Sequence, residues 1–274
     1  MNTIKLTDEA RKALQNADLS DGQINLGAPG SLNRQVYKEV VRVLEGAGYK
    51  WNRSMGRHYK LGGDAVKDVA TILKEGGTEN KRQKFQFFPT VPEVADQMAQ
   101  ELVDASTLAG HQLRTVLEPS VGLGALVKAI RTLRPDVYVV GVELNRELHI
   151  DKLPPDFVPN EIIYGDFMRW QDEHEPTMKS IGSRLFDGIL MNPPFTKQQD
   201  IKHVMRAIAM LHPRGSLVTL MWPSWSTSTT KLAQAFRKQT DGCKEWTRLK
   251  PGEADGGLTK NAVDLVVITP WKIR

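Results

Sequence analysis

Apolar positions recur at helical spacing three times in the first third of the chain. Residues 6–16 read as a short helix with Thr7 as N-cap. A loop over Gly22 to Gly30 follows, and Ser31 is placed to cap a helix reaching about Glu45, with Val36, Val40 and Leu44 on one face. Between Tyr49 and Leu61, aromatic and polar residues alternate around a Ser-Met-Gly turn, the signature of a β-hairpin. A further helix is predicted near Asp64 to Lys74, with Val66, Val69, Ala70 and Leu73 inward and Gly76-Gly77 at its end. Residues 1–80 thus read as a small helix–hairpin–helix module, winged-helix-like, and residues 75–84 as a polar linker.

The remainder, 81–274, alternates strand and helix. Phe85 to Thr90 leads into a helix whose start matches a capping box, Thr90 with Glu93, and carries Pro92 in its first turn. Strands are predicted at Thr115–Glu118, Val137–Glu143, Glu161–Asp166, Leu185–Met191 and Ser216–Met221. Helices are predicted at Gly122–Leu133, around Ile201–Ile208 with Pro213 closing it, and over 231–238. Glu245–Leu249 and Val263–Thr269 would close the sheet as a hairpin. This order predicts an α/β, doubly wound, mostly parallel sheet.

Composition narrows the class. A chain of 274 residues with 40% hydrophobic content can build one large domain plus a small appendage. The single cysteine, Cys243, excludes an internal disulfide framework and a cysteine-rich zinc site, and points to a reducing, cytoplasmic setting. No apolar signal core opens the chain, and no run nears the ~18 apolar residues of a membrane span. The net charge of +5 is concentrated: residues 31–60 hold seven Lys or Arg against Glu39 and Glu45, an excess equal to that of the whole chain. Of these, Arg34, Lys50, Arg53, Arg57 and Lys60 are candidate phosphate contacts, so the expected partner is nucleic acid. The aromatics of the same stretch, Tyr49, Trp51 and Tyr59, are expected to pack on the helices.

The candidate chemistry sits at the ends of the predicted strands. Asn192-Pro193-Pro194-Phe195 follows an apolar strand. Two prolines stop that strand and stiffen the corner, and the first pushes Asn192 toward extended backbone. The Asn192 amide and the Pro193 carbonyl could both accept from a planar ring amine, offsetting charge that develops on it, while Phe195 could stack on the ring. Upstream, Glu118-Pro119-Ser120-Val121-Gly122-Leu123-Gly124 is a strand–turn–helix junction whose glycines admit close backbone approach. Val127 stands where a dinucleotide fingerprint wants a small residue, which disfavours a nicotinamide enzyme. Glu143, ending the next strand, can accept ribose hydroxyls. Asp166 can accept an adenine amine and Phe167 can pack on the base.

Over residues 85 to about 270, these motifs in this order resemble a class I S-adenosylmethionine-dependent methyltransferase of the group acting on adenine N6 in DNA. The resemblance implies a seven-stranded Rossmann-like methyltransferase sheet and S-adenosylmethionine as cofactor. It implies that Phe88-Pro89-Thr90 helps hold the methionine part, with Thr90 and Gly122 near the aminocarboxylate. It also implies base flipping and direct transfer at Asn192, Pro193, Pro194 and Phe195 without a metal. No membrane partner is expected, and a monomer is expected rather than an oligomer. Residues 31–75 resemble, more loosely, a module of phage and prophage enzymes. Only 25 residues separate Asp166 from Asn192 and about 50 follow Trp222, leaving little room for a target-recognition region, so low sequence specificity is expected. A methyltransferase for RNA or a protein glutamine, and a non-catalytic nucleic-acid-binding module, are the alternatives. Trp225 and Trp271 could line the substrate cleft or simply pack.

Overall fold

A computed structural model describes the chain except for residues 1, 2, 21, 29, 61, 62, 80–88, 149, 171–184, 258–261 and 274. It divides into two compact units, residues 1–87 and 88–274.

The first unit begins with β1 (Thr3–Lys5) and α1 (Asp8–Gln15), where Thr7 accepts from the Ala10 N–H as the expected cap. Next come β2 (Asp18–Ser20), β3 (Gln23–Asn25) and α2 (Arg34–Gly46). Asn33, not Ser31, caps α2, its side chain accepting from the Gln35 N–H. The hairpin forms as β4 (Lys50–Asn52) and β5 (Arg57–Tyr59), and α3 (Ala65–Glu75) and β6 (Gly77–Glu79) complete the unit.

The hairpin is half of a larger object. β5 also pairs with β3, and β3 with β2, in a four-stranded antiparallel sheet of order β2-β3-β5-β4. Both β2 and β3 are three residues long with one apolar side chain each, too short for alternation to betray them, and β3 falls in the expected loop. The expected linker is also structured at its start, because β6 pairs antiparallel with β1. A Cβ on Gly77 would lie 2.2 Å from the Ile4 carbonyl oxygen, so this pairing needs glycine there. On α3 the buried face is Ala65, Val69 and Ile72, whereas Val66 and Ala70 are exposed. Both stripes have helical spacing, and the core took the neighbouring one.

The second unit runs α4 (Pro92–Leu108), β7 (Thr115–Glu118), α5 (Ala125–Leu133), β8 (Tyr138–Glu143), β9 (Glu161–Tyr164) and β10 (Phe186–Met191). It continues with α6 (Gln199–Ile208), β11 (Leu211–Met221), α7 (Ser224–Thr227), α8 (Lys231–Gln239), β12 (Lys244–Arg248) and β13 (Asp264–Ile268). The seven strands order as β12-β13-β11-β10-β7-β8-β9. β11, β10, β7, β8 and β9 are parallel neighbours; β13 pairs antiparallel with β11 and β12, the closing hairpin expected.

Period-two alternation feeds two cores. Val116, Val139, Leu190, Val218 and Leu265 join Met98, Leu102, Leu126 and Ile130 of α4 and α5 in one cluster. Leu117, Val140, Ile189, Leu217 and Val266 join Ile201 and Val204 of α6 and Phe236 of α8 in the other. The sheet is therefore covered on both faces, as a parallel sheet must be. Pro213 does not close α6, which ends at Ile208; it lies inside β11, beside the register shift between Phe186 and Gly188 of β10. At the amino-terminal end of β10, Asp187 accepts from the Thr115 and Arg114 N–H groups and pairs with His111, whose ring stacks on His212 at 4.3 Å. Among the described residues no helix is long and apolar enough to cross a membrane.

Candidate active site

The strand order carries the site. β10, β7, β8 and β9 are parallel neighbours, so their carboxyl ends share one edge, and Asn192, Glu118, Glu143 and Asp166 follow there in turn. Ligands of open α/β sheets lie outside this edge.

β7 ends at Glu118, and the chain turns through Pro119, Ser120, Gly122 and Gly124 into α5. Gly122 and Gly124 both have left-handed φ, 56° and 72°. A Cβ on Gly124 would lie 2.0 Å from the Phe157 carbonyl oxygen, so glycine is required there by sterics as well as by φ. The turn is tied to β8: Val121 N–H donates to the Val142 carbonyl at 3.1 Å, and Gly122 N–H donates to Glu143 Oε2 at 2.8 Å. Glu143 Oε1 accepts from Asn145 N–H at 2.7 Å.

Two carboxyls are thus buried side by side. Glu118 is 3% exposed, and its Oε2 has no hydrogen-bond partner among the described residues. Burial, then the neighbouring Glu143 charge, hold the Glu118 carboxyl well above its ordinary pKa, against one hydrogen bond from the Val127 backbone. Burial also raises Glu143, opposed by its backbone N–H partners. A buried acceptor without a donor suits a cationic ligand, and two adjacent carboxyls suit an ammonium together with a diol.

Asp166 follows β9; its Oδ1 accepts from Met168 N–H at 2.9 Å, and Gly165 N–H extends the ladder to the Glu143 carbonyl. Phe167 departs from expectation. It is 3% exposed, packed against Trp170 and His203 with Arg206 over its face, so it is a core ring rather than a cover for a base.

Past the end of β10, Pro193 is buried while Asn192, Pro194 and Phe195 are half-buried. Asn192 Nδ2 donates to Thr90 Oγ1 at 3.1 Å. The expected capping box is therefore absent: Val91 is the N-cap residue of α4 and no side chain bonds that end. The hydroxyl is placed against the amide instead, which makes the nitrogen of Asn192 its engaged end. Pro89 is half-buried beside Thr90, and Phe88 lies outside the described residues.

Three features of this corner were not singled out from sequence. Trp222, just past β11, places its ring 5.9 Å from Phe195 at 41°. Asp200, 1% exposed in the first turn of α6, accepts from Trp222 N–H at 2.9 Å, and burial pushes its carboxyl up to about 6. Lys197 and Gln198 have left-handed φ of 56° and 58°, the two non-glycine residues so found among those described. Gln198 Nε2 donates to Thr230 Oγ1 at 2.9 Å and Ser228 Oγ at 3.1 Å. A Trp-Pro pair ending a strand was the available signal for the first; the other two depend on tertiary partners. Trp225 and Trp271 are structural: Trp225 donates to the buried Asp264 and packs on Phe236, and Trp271 donates to Ser216.

In the first unit the cation candidates divide. Arg34, Lys50 and Arg53 are exposed. Arg57 lies 3.9 Å from Asp18, and Lys60 is held inward by Asp68 at 2.6 Å and over the Tyr49 ring. Tyr49 is fully buried and Tyr59 half-buried, but Trp51, expected to pack, is 51% exposed.

No protein-family model matches the chain. It is 28% identical over 136 residues to the Type II methyltransferase M.AccI of Acinetobacter calcoaceticus, covering 47% of this chain and 22% of that protein. It is 28% identical over 127 residues to the Type II methyltransferase M.CvrRI of Paramecium bursaria Chlorella virus XZ-6E, covering 46% and 29%. The chain thus spans less than a third of either relative. Among solved structures, the methyltransferase subunit of a type I restriction-modification system from Streptococcus thermophilus superposes with a TM-score of 0.53 at 16% identity, over 77% of this chain and 53% of that one. The second unit has the Rossmann-like methyltransferase fold.

Proposed function

We propose that this chain is a DNA methyltransferase that uses S-adenosylmethionine to methylate the N6 amine of adenine. The observation that carries the reading is the shared strand edge, where the Glu143-locked glycine turn on β7 neighbours the Asn-Pro-Pro-Phe corner on β10. The two Type II relatives and the restriction-modification subunit favour DNA as substrate.

S-adenosylmethionine supplies a methyl group made electrophilic by a sulfonium. Glu118, with its unpartnered buried oxygen, fits the ammonium of its methionine part. Glu143 would take the ribose hydroxyls, Asp166 the adenine amine, and the backbone of Pro119, Ser120, Gly122 and Gly124 would line its approach. Pro89 and Thr90 border the methionine end.

For the substrate, the Asn192 carboxamide has its nitrogen on Thr90, so its oxygen is the end suited to a ring amine. The Pro193 carbonyl is the second acceptor. Both are fixed before the base arrives, so they can offset charge developing on N6 without reorganising. Phe195 and Trp222 present adjoining rings to the flipped base. Residues 81–274 carry this chemistry and residues 1–80 contact DNA, through Arg34, Lys50 and Arg53. The short spacing after Asp166 and Trp222 supports methylation in short sequence contexts.

The test is incubation with labelled S-adenosylmethionine and unmethylated DNA, RNA or protein in parallel, followed by nucleoside mass spectrometry. The expected product is N6-methyladenine in DNA, and methylome sequencing should give only a short consensus. Label confined to RNA or protein would overturn the substrate, and a five- or six-base consensus would overturn the low specificity.

A further inference from the structure

The first unit carries a surface that the strand-edge chemistry does not use. Trp51 on β4 and Tyr37 on α2 are 51% and 36% exposed, and both rings face His58 on β5, at 5.1 and 6.4 Å between centroids. His58 is 1% exposed with neither ring nitrogen partnered, so it is a buried polar floor beneath two exposed aromatic rings. Burial lowers its pKa, which favours a neutral ring. Met55, 43% exposed, extends the patch at the hairpin tip. That tip is rigid: Asn52 Oδ1 accepts from Ser54 N–H, Ser54 Oγ and Met55 N–H.

Cations surround the patch. Arg34, Lys38 and Arg53 are exposed on α2 and the hairpin. Two acids of the neighbourhood are committed: Glu39 accepts from the Thr7 N–H and hydroxyl, and Asp18 faces Arg57. Exposed rings with exposed cations on the same two elements match the requirements of an unpaired strand, whose phosphates follow the charges while its bases stack on the rings. A paired duplex offers phosphates but keeps its base faces stacked on one another.

We infer that Trp51 and Tyr37 form a stacking platform for an unpaired nucleobase, and that this unit takes single-stranded nucleic acid in preference to duplex. This deepens the DNA reading above by naming the form of nucleic acid the unit holds.

The test is fluorescence anisotropy of the full chain with a labelled single-stranded oligonucleotide and with the same sequence as duplex, across a salt series. Wild type should bind the single strand more tightly. Trp51→Ala should weaken it about tenfold, as loss of one stacked base does, with an unchanged salt slope. Trp51→Phe should restore most of the loss. Arg53→Ala should lower the salt slope by about 0.7, the mark of one phosphate contact to a single strand. Melting of Trp51→Ala should match wild type, because the side chain is exposed. Equal binding by Trp51→Ala and wild type, or tighter binding of the duplex, would overturn the platform. A chain that methylates DNA but shows no Trp51 dependence would lose this inference alone. A chain that binds single strands through Trp51 but transfers no methyl group would lose only the proposed function.

Discussion

Asp200 shows how one buried side chain shapes the corner. It accepts from Trp222 N–H, so it sets the backbone beside the Phe195–Trp222 ring pair. Its pKa, raised to about 6, means the folded state takes up the proton more readily than the unfolded chain does. The stability this contributes is complete below the ordinary carboxylate range and is lost as pH rises through about 6. By linkage that is on the order of 3 kcal/mol. Asp200→Asn keeps an acceptor for Trp222 and cannot titrate. Urea midpoints of the variant should therefore lose less stability than wild type between pH 4 and pH 7; parallel profiles would contradict the assignment. Nothing in the sequence marks this aspartate, because its neighbours reach it only through the fold. Thr90 makes the same point. Thr-x-x-Glu before a helix satisfies a local capping rule, yet the hydroxyl lies on Asn192, 102 residues away. Glu118, Glu143 and Asn192 were legible because each ends a strand that sequence alternation had already located.

At the scale of elements, the segment after the diproline is the unusual one. Lys197 and Gln198 both sit in the left-handed region, which costs a non-glycine residue about 1–2 kcal/mol. Gln198 offsets this by holding Ser228 and Thr230, so the turn into α6 is latched to the start of α8. Gln198→Ala loses the latch and keeps the strain; Gln198→Gly loses the latch and relieves it. Urea unfolding should find the alanine variant less stable than wild type, with glycine recovering about 1 kcal/mol of the loss. Equal stabilities for the two variants would show that no backbone strain is stored there. Long periodic elements were legible: α2, α4, α5, the five parallel strands and the closing hairpin all follow from spacing. The three-residue strands β1, β2, β3 and β6 were not: β1 and β6 are defined by pairing to each other across the length of the unit, and β2 and β3, neighbours in the chain, are too short to show a pattern of their own.

At the scale of the molecule, each unit has its own core and its own surface chemistry. The first concentrates exposed cations around exposed rings; the second places carboxyls, a glycine turn and a carboxamide corner on one sheet edge. The parallel order of the second unit was legible because alternating strands and helices admit few topologies. The basic excess of residues 31–60 was legible as well, but not its division into exposed Arg34, Lys50 and Arg53 and inward Lys60. That division required Asp68 and Tyr49 to be seen beside Lys60.

In the proposed reaction Asn192 acts on the substrate amine and not on the cofactor. The most direct measurement compares Asn192→Ala with wild type, using calorimetric binding of S-adenosylmethionine and single-turnover methyl transfer to DNA. Cofactor affinity should stay within about threefold of wild type and transfer should fall by at least about a hundredfold, the scale of losing one preorganised polar group at a reacting centre. Transfer at the wild-type rate, or loss of cofactor binding with the fold intact, would contradict that role.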